Sequence, residues 1–100
     1  MPSANEHHYD ILVVDDTPQN LTILTRILKK QGYRVRPAID GQVALKAVDN
    51  AQPDLILLDI MMPDMSGYEV CQQLKANPST QDIPVIFVSS KTEILDKVKG

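Results

Sequence analysis

Hydrophobic residues fall along this chain in short runs, separated by helix-length stretches in which they recur every three or four positions. Ile11 to Val14 is a continuous apolar run, the pattern of a strand buried on both faces. After the acidic pair Asp15-Asp16, Thr17 supplies a helix cap and Pro18 suits the first helical position. Leu21, Leu24, Ile27 and Leu28 then recur at helical spacing, and Gly32 ends the helix. Arg34 to Ala38 reads as a weaker second strand, whose alternation and Pro37 suit a sheet edge. Asp40-Gly41 opens a second helix with Val43, Ala44, Ala47 and Val48 as its apolar face, and Pro53 stops it.

Leu55 to Leu58 is a third strand, again apolar throughout and again running into a carboxylate, Asp59. Past the loop "IMMPDM", Ser66 and Glu69 have the spacing of a capping box. The helix they open turns Val70, Cys71 and Leu74 inward and stops near Asn77-Pro78. Val85 to Val88 is the fourth strand, followed by Ser89 and Ser90. Ser90 and Glu93 have capping-box spacing again, for a fourth helix in "TEILDKVKG". Residues 1–9 are polar, include His7-His8 and are expected to form a flexible leader to one domain over 10–100. Strands alternating with helices predict an α/β domain built on a parallel sheet.

Composition narrows the classes. The chain has 100 residues, 43% hydrophobic and 23% charged, enough for a single core. Its net charge of -3, without a basic stripe, argues against nucleic-acid binding by this domain. Cys71 is the sole cysteine, so no intrachain disulfide and no CxxC motif exists, and core packing is the reading for it. No apolar run approaches the roughly 18 residues of a membrane span. The polar start also lacks the apolar segment of a signal peptide. A soluble, cytoplasmic protein without membrane contact is expected.

Parallel strands present their C-terminal ends on one edge, where open α/β sheets bind ligands. The residues just past those ends are Asp15, Asp16, Asp59 and Ser89. Two like charges about 4 Å apart repel by roughly 4 kcal/mol at an effective dielectric near 20, so clustered carboxylates call for a cation. Oxygen ligands select a hard ion, and Mg²⁺ is the expected cofactor. An aspartate beside such an ion can act as a nucleophile toward phosphorus. Asp40 and Asp64 read as ordinary turn or cap residues.

Three stretches together, "ILVVDDTPQNL", "DLILLDIMMPDMSG" and "IPVIFVSS", resemble the receiver domain of bacterial two-component response regulators, the CheY-like family. The resemblance covers residues 10–100. It implies a flavodoxin-like sheet of strand order 2-1-3-4. It also implies roles by position: Asp59 as phosphoacceptor, Asp16 as direct Mg²⁺ ligand, Asp15 as an acid holding the ion through water, and the Met61 backbone carbonyl as a further ligand. Ser89 matches the switch hydroxyl, and Pro63 and Gly67 the residues that shape the loop after the acceptor. The donor would be the phosphohistidine of a sensor histidine kinase or phosphotransfer protein. Such a domain is a signalling switch, not an enzyme, since it consumes its own activated state.

The family pattern continues with a fifth strand, bearing a lysine before a proline, and a last helix. Neither occurs in these 100 residues. The expectation is a domain incomplete on that side, its fourth strand an exposed edge open to a homodimer or segment exchange. The alternative function is a phosphorylation-independent protein-interaction module. A phosphatase working through an aspartyl phosphate would carry a D-x-D pair, which Asp59-Ile60-Met61 does not supply.

Overall fold

The structure, a computed structural model, describes residues 9–88. Ser89, Ser90, the expected fourth helix and the first eight residues of the expected leader lie outside the described residues. The elements run β1 (Asp10–Val14), α1 (Pro18–Lys30), β2 (Arg34–Ala38), α2 (Gly41–Asn50), β3 (Leu55–Asp59), α3 (Gly67–Ala76) and β4 (Val85–Val88). The strands form one sheet of order β2-β1-β3-β4, and every neighbouring pair is parallel. This is the CheY-like flavodoxin arrangement expected from the sequence. Among the described residues, no helix is long and apolar enough to cross a membrane.

Of the three all-apolar runs, Ile11–Val14 and Leu55–Leu58 occupy the centre of the sheet, covered on both faces, while Val85–Val88 ends the described sheet and leaves Ile86 and Phe87 exposed. Leu12, Val13, Val14, Ile56 and Leu58 are all 0% exposed. On one face, Leu12, Val14, Ile56 and Leu58 pack with Ala44 and Val48 of α2 and Val70 and Leu74 of α3. On the other, Ile11 and Val13 pack with Leu21 of α1 and Val35 of β2. Each fully buried aliphatic side chain contributes about 1.5–3 kcal/mol, so these strands carry much of the favourable side of folding. Cys71 packs against the first cluster, in the core role expected of it.

Helix ends follow local chemistry. Asp40 caps α2 by accepting from the Val43 N–H at 2.8 Å. The α3 capping box is complete: Ser66 Oγ accepts from the Glu69 N–H at 3.2 Å, and Glu69 Oε1 from the Ser66 N–H at 2.9 Å. Gly32 follows α1 at φ 93°, a conformation that glycine adopts without steric cost. Thr17 does occupy the N-cap position of α1, but its hydroxyl makes no capping bond. Two helical residues expected inward point away from the core. Ile27 is 51% and Val43 42% exposed. Each sits one residue, a rotation of about 100°, from the stripe that faces the sheet, namely Leu21, Leu24 and Leu28 on α1 and Gly41, Ala44 and Val48 on α2.

Two contacts fix the helices against the sheet. Arg36 of β2 reaches under α2: its Nε donates to Asp10 Oδ1 at 3.3 Å, Nη1 to the Ala47 carbonyl at 3.1 Å and Nη2 to the Ala51 carbonyl at 2.6 Å. The Ala47 carbonyl also accepts the Ala51 N–H at 3.1 Å, and a cation at this helix C-terminus suits the helix dipole. Gly67 begins α3 directly against the end of β3. Its N–H donates to the Ile60 carbonyl at 2.8 Å. A Cβ at this position would overlap the Asp59 carbonyl oxygen and lie 3.0 Å from Ile60 Cα.

Arg36→Met should lower unfolding free energy by about 1–3 kcal/mol, since the α2 carbonyls lose a charged donor; an unchanged urea midpoint would contradict this role. Gly67→Ala should cost a further-reaching 1–3 kcal/mol or so by displacing α3 from β3, again read by urea denaturation, with no loss of stability as the contrary result.

Candidate functional site

Strand register builds the site. Val14 of β1 pairs with Leu58 of β3, so the next residue on each strand brings Asp15 and Asp59 to the same sheet edge. Asp16 follows on the turn into α1. One carboxylate oxygen from each of Asp15, Asp16 and Asp59 lies within 4.8 Å of the others. Asp15 is 2% and Asp59 0% exposed, and Asp16 is half-buried. The acids are therefore withdrawn from water as well as crowded.

Their hydrogen bonds are unequal. Asp15 is held by two donors of its own turn and helix: the Thr17 N–H at 2.9 Å on Oδ1 and the Asn20 side-chain amide at 3.4 Å on Oδ2. Asp59 Oδ1 accepts only a long bond, 3.4 Å, from the Met61 N–H. Asp59 Oδ2 and Asp16 Oδ1 are buried without a hydrogen-bond partner among the described residues. Unpartnered buried acceptors are costly. Burial pushes the Asp59 carboxyl from 3.8 up to about 6, helped by the Asp15 charge and by the Asp16 carboxyl at its side, while the Met61 N–H pulls weakly the other way.

The donor set fits a hard divalent cation. All the available atoms are carboxylate oxygens, two of them lack partners, and the spacing lets them share an ion. Of the residues marked by the sequence, the structure thus brings together Asp15, Asp16 and Asp59, with Met61 two residues on. Ser89 falls outside the described residues, one position after Val88, which pairs with Asp59. Asp40 caps a helix and Asp64 is exposed in a loop, as expected of both. Asn20 is a supporting residue that the acids alone do not reveal. Its signal is positional, on the turn of α1 that stands over Asp15.

Beside Asp16 opens a groove of about 550 Å³, lined by Ile60, Met61, Met62, Pro63, Ser66 and Tyr68. Its walls are mostly apolar and open to solvent, with Met61 and Tyr68 exposed. Tyr68 packs against Phe87 of β4, with ring centroids 5.0 Å apart.

The family model for the response regulator receiver domain matches residues 11–100. A probable cyclic di-GMP phosphodiesterase of Vibrio cholerae is 48% identical over 90 residues, covering 90% of this chain and 20% of that protein. The chain thus spans a small part of this relative, whose activity is not carried over. Among solved structures, the N-terminal domain of a response regulator receiver protein from Methanoculleus marisnigri JR1 superposes with a TM-score of 0.80 at 43% identity, over 83% of this chain and 68% of that one. The chemotaxis protein CheY4 of Vibrio cholerae gives 0.81 at 28% identity, over 94% and 78%. Sheet order, acid cluster, family match and structural neighbours converge: the chain belongs to the response regulator receiver domains of two-component signalling, with a CheY-like fold.

Proposed function

We propose that Asp59 is the phosphoacceptor and takes its phosphoryl group from the phosphohistidine of a sensor kinase or phosphotransfer protein. The observation that carries this reading is the buried trio itself, three carboxylates within 4.8 Å with two oxygens unpartnered. Asp16 and Asp59, which own those oxygens, and the Met61 backbone carbonyl would hold Mg²⁺ directly, with Asp15 acting through water. Asp15 suits the outer place because Thr17 and Asn20 already occupy its oxygens. A bound Mg²⁺ would supply positive charge that offsets the carboxylates and the charge of the transferred group.

The chain's own residues do the rest. An Asp59 oxygen attacks phosphorus, the phosphorus–nitrogen bond breaks, its electron pair stays on the departing imidazole, and an acyl phosphate forms on Asp59. The Met61 N–H steadies Asp59 Oδ1 through a long bond of 3.4 Å. Ser89, next after the strand residue paired with Asp59, would turn its hydroxyl to the phosphoryl group and pass the change to the surface.

Incubation with acetyl phosphate and Mg²⁺ should add one phosphoryl group by intact-mass spectrometry, and none to Asp59→Asn. No addition to the wild-type chain would sink the proposal for this chain.

The raised Asp59 pKa also has a stability consequence. The folded state binds this proton more tightly than the unfolded state, whose carboxyl titrates near 3.8, against about 6 when folded. Stability from this group is full below the lower value and is lost as pH rises through the higher one. In EDTA the protein should therefore lose stability from about pH 4 to pH 6 on this account. Asp59→Asn should remove the penalty and be more stable at pH 7.5 by about 1–3 kcal/mol. Urea denaturation across pH checks this, and a variant less stable than wild type would overturn the electrostatic account.

A further inference from the structure

Residues 17–39 hold five of the ten Lys and Arg residues and none of the thirteen Asp and Glu. In a chain of net charge -3 this stretch stands at +5. It is the unit of α1 and β2, and β2 ends the sheet beyond β1. Arg36 is consumed internally by Asp10 and the α2 carbonyls. Arg26, Lys29, Lys30 and Arg34 are exposed, and none of them forms an ion pair among the described residues. A favourable helix dipole accounts for Lys29 and Lys30 in the last turn of α1. It does not account for Arg26, a turn earlier, or for Arg34 on the strand.

Between α1 and β2 runs a groove of about 580 Å³, lined by apolar Pro18, Leu21 and Pro37, by Thr22, and by the cations Arg26 and Lys29. Thr25 also borders it, and its hydroxyl is buried without a partner. The groove combines an apolar interior with two mobile positive charges. Pro37 interrupts the strand edge beside it. The Arg34 N–H donates to the Tyr9 carbonyl, and the Ala38 carbonyl accepts from the Asp15 N–H. The even positions of β2 therefore face β1 and the odd ones face outward. The outward position at the strand's middle to end is Pro37, which has no N–H to offer. A partner seated in the groove beside Pro37 meets side chains there.

We propose that this groove docks an acidic, leucine-bearing segment of a partner protein. Its carboxylates pair with Arg26 and Lys29, and its apolar side chain seats against Leu21, Pro18 and Pro37. Charge complementarity favours an anionic partner, and the apolar lining favours a peptide over a nucleic acid. No aromatic side chain lines the groove to stack a base. Four exposed cations on a chain of net charge -3 also give little purchase on a phosphate backbone. The surface is separate from the Asp59 chemistry and stands whether or not Asp59 is phosphorylated.

The test uses the full chain and a short fluorescent peptide in which glutamates flank two leucines, read by anisotropy, with a glutamine analogue as control. The acidic peptide should bind and the analogue should not. The double variant Arg26→Glu/Lys29→Glu and, separately, Thr22→Trp, which plugs the groove without changing charge, should each weaken binding by about tenfold or more. Circular dichroism confirms that both variants fold. No binding of the acidic peptide overturns the proposal, as does binding that survives Thr22→Trp, which would reduce the face to a diffuse cationic stripe. Tighter binding of single-stranded DNA or of phosphatidylserine vesicles, lost in the charge variant, would assign the face to those partners instead. Self-association in sedimentation that the double variant abolishes would assign it to a second copy of the chain.

Discussion

In-register pairing of β1 with β3 is the constraint on which the rest depends. It buries Leu12, Val13, Val14, Ile56 and Leu58 completely, and the same register delivers Asp15 and Asp59 side by side at the strand ends. The two consequences oppose one another. Apolar burial at about 1.5–3 kcal/mol per side chain drives the strands together, while the carboxylates they carry repel and lose their water. The core wins because it has many more members than the cluster. The cost then stays localised at the site, visible in the raised pKa of Asp59 and in two oxygens without partners. A divalent cation would find there a set of oxygens already assembled, with little left to reorganise.

The surroundings hold that arrangement from several directions. Gly67 lets α3 start in contact with the Asp59 backbone, and the Ser66–Glu69 capping box fixes where that helix begins. The turn after β1 and the first turn of α1 supply Thr17 and Asn20 to Asp15. At the far end of the sheet, Arg36 ties β2 and β1 to the end of α2. Each support comes from a regular element or its cap. This limits the freedom of the acids to relax apart and keeps the repulsion between them.

Charge is divided across the molecule as well as concentrated in it. All thirteen acids lie outside residues 17–39, and half of the cations lie within. The acid site occupies the C-terminal edge of the central strands, while the basic face belongs to α1 and the edge strand β2. One domain thus carries a buried acidic cluster and a separate basic face without either neutralising the other.

The α/β alternation, the edge position of β2, the capping box of α3 and the three acids were legible in the sequence, because each rests on local signals. Continuous apolar runs mark buried strands, Pro37 excludes a central strand, and Ser66 with Glu69 is a pairing three residues apart. The outward turn of Ile27 and Val43 was not legible. Helical periodicity fixes the spacing of a stripe but not its centre, which depends on how the helix rotates against the sheet. The reach of Arg36 to carbonyls 11 and 15 residues away, and the amide that Asn20 gives Asp15, depend on side-chain paths no spacing encodes. The gathering of Arg26, Lys29 and Arg34 at one edge follows from packing α1 beside β2. The sequence by itself determined which runs form the central strands and which acids stand at their ends, since continuous apolar runs and caps are short-range signals. Only the tertiary structure decided which oxygens are left unpartnered, how far Asp59 is pushed up and where the free cations meet a groove, because burial and charge coupling arise from neighbours distant in the chain.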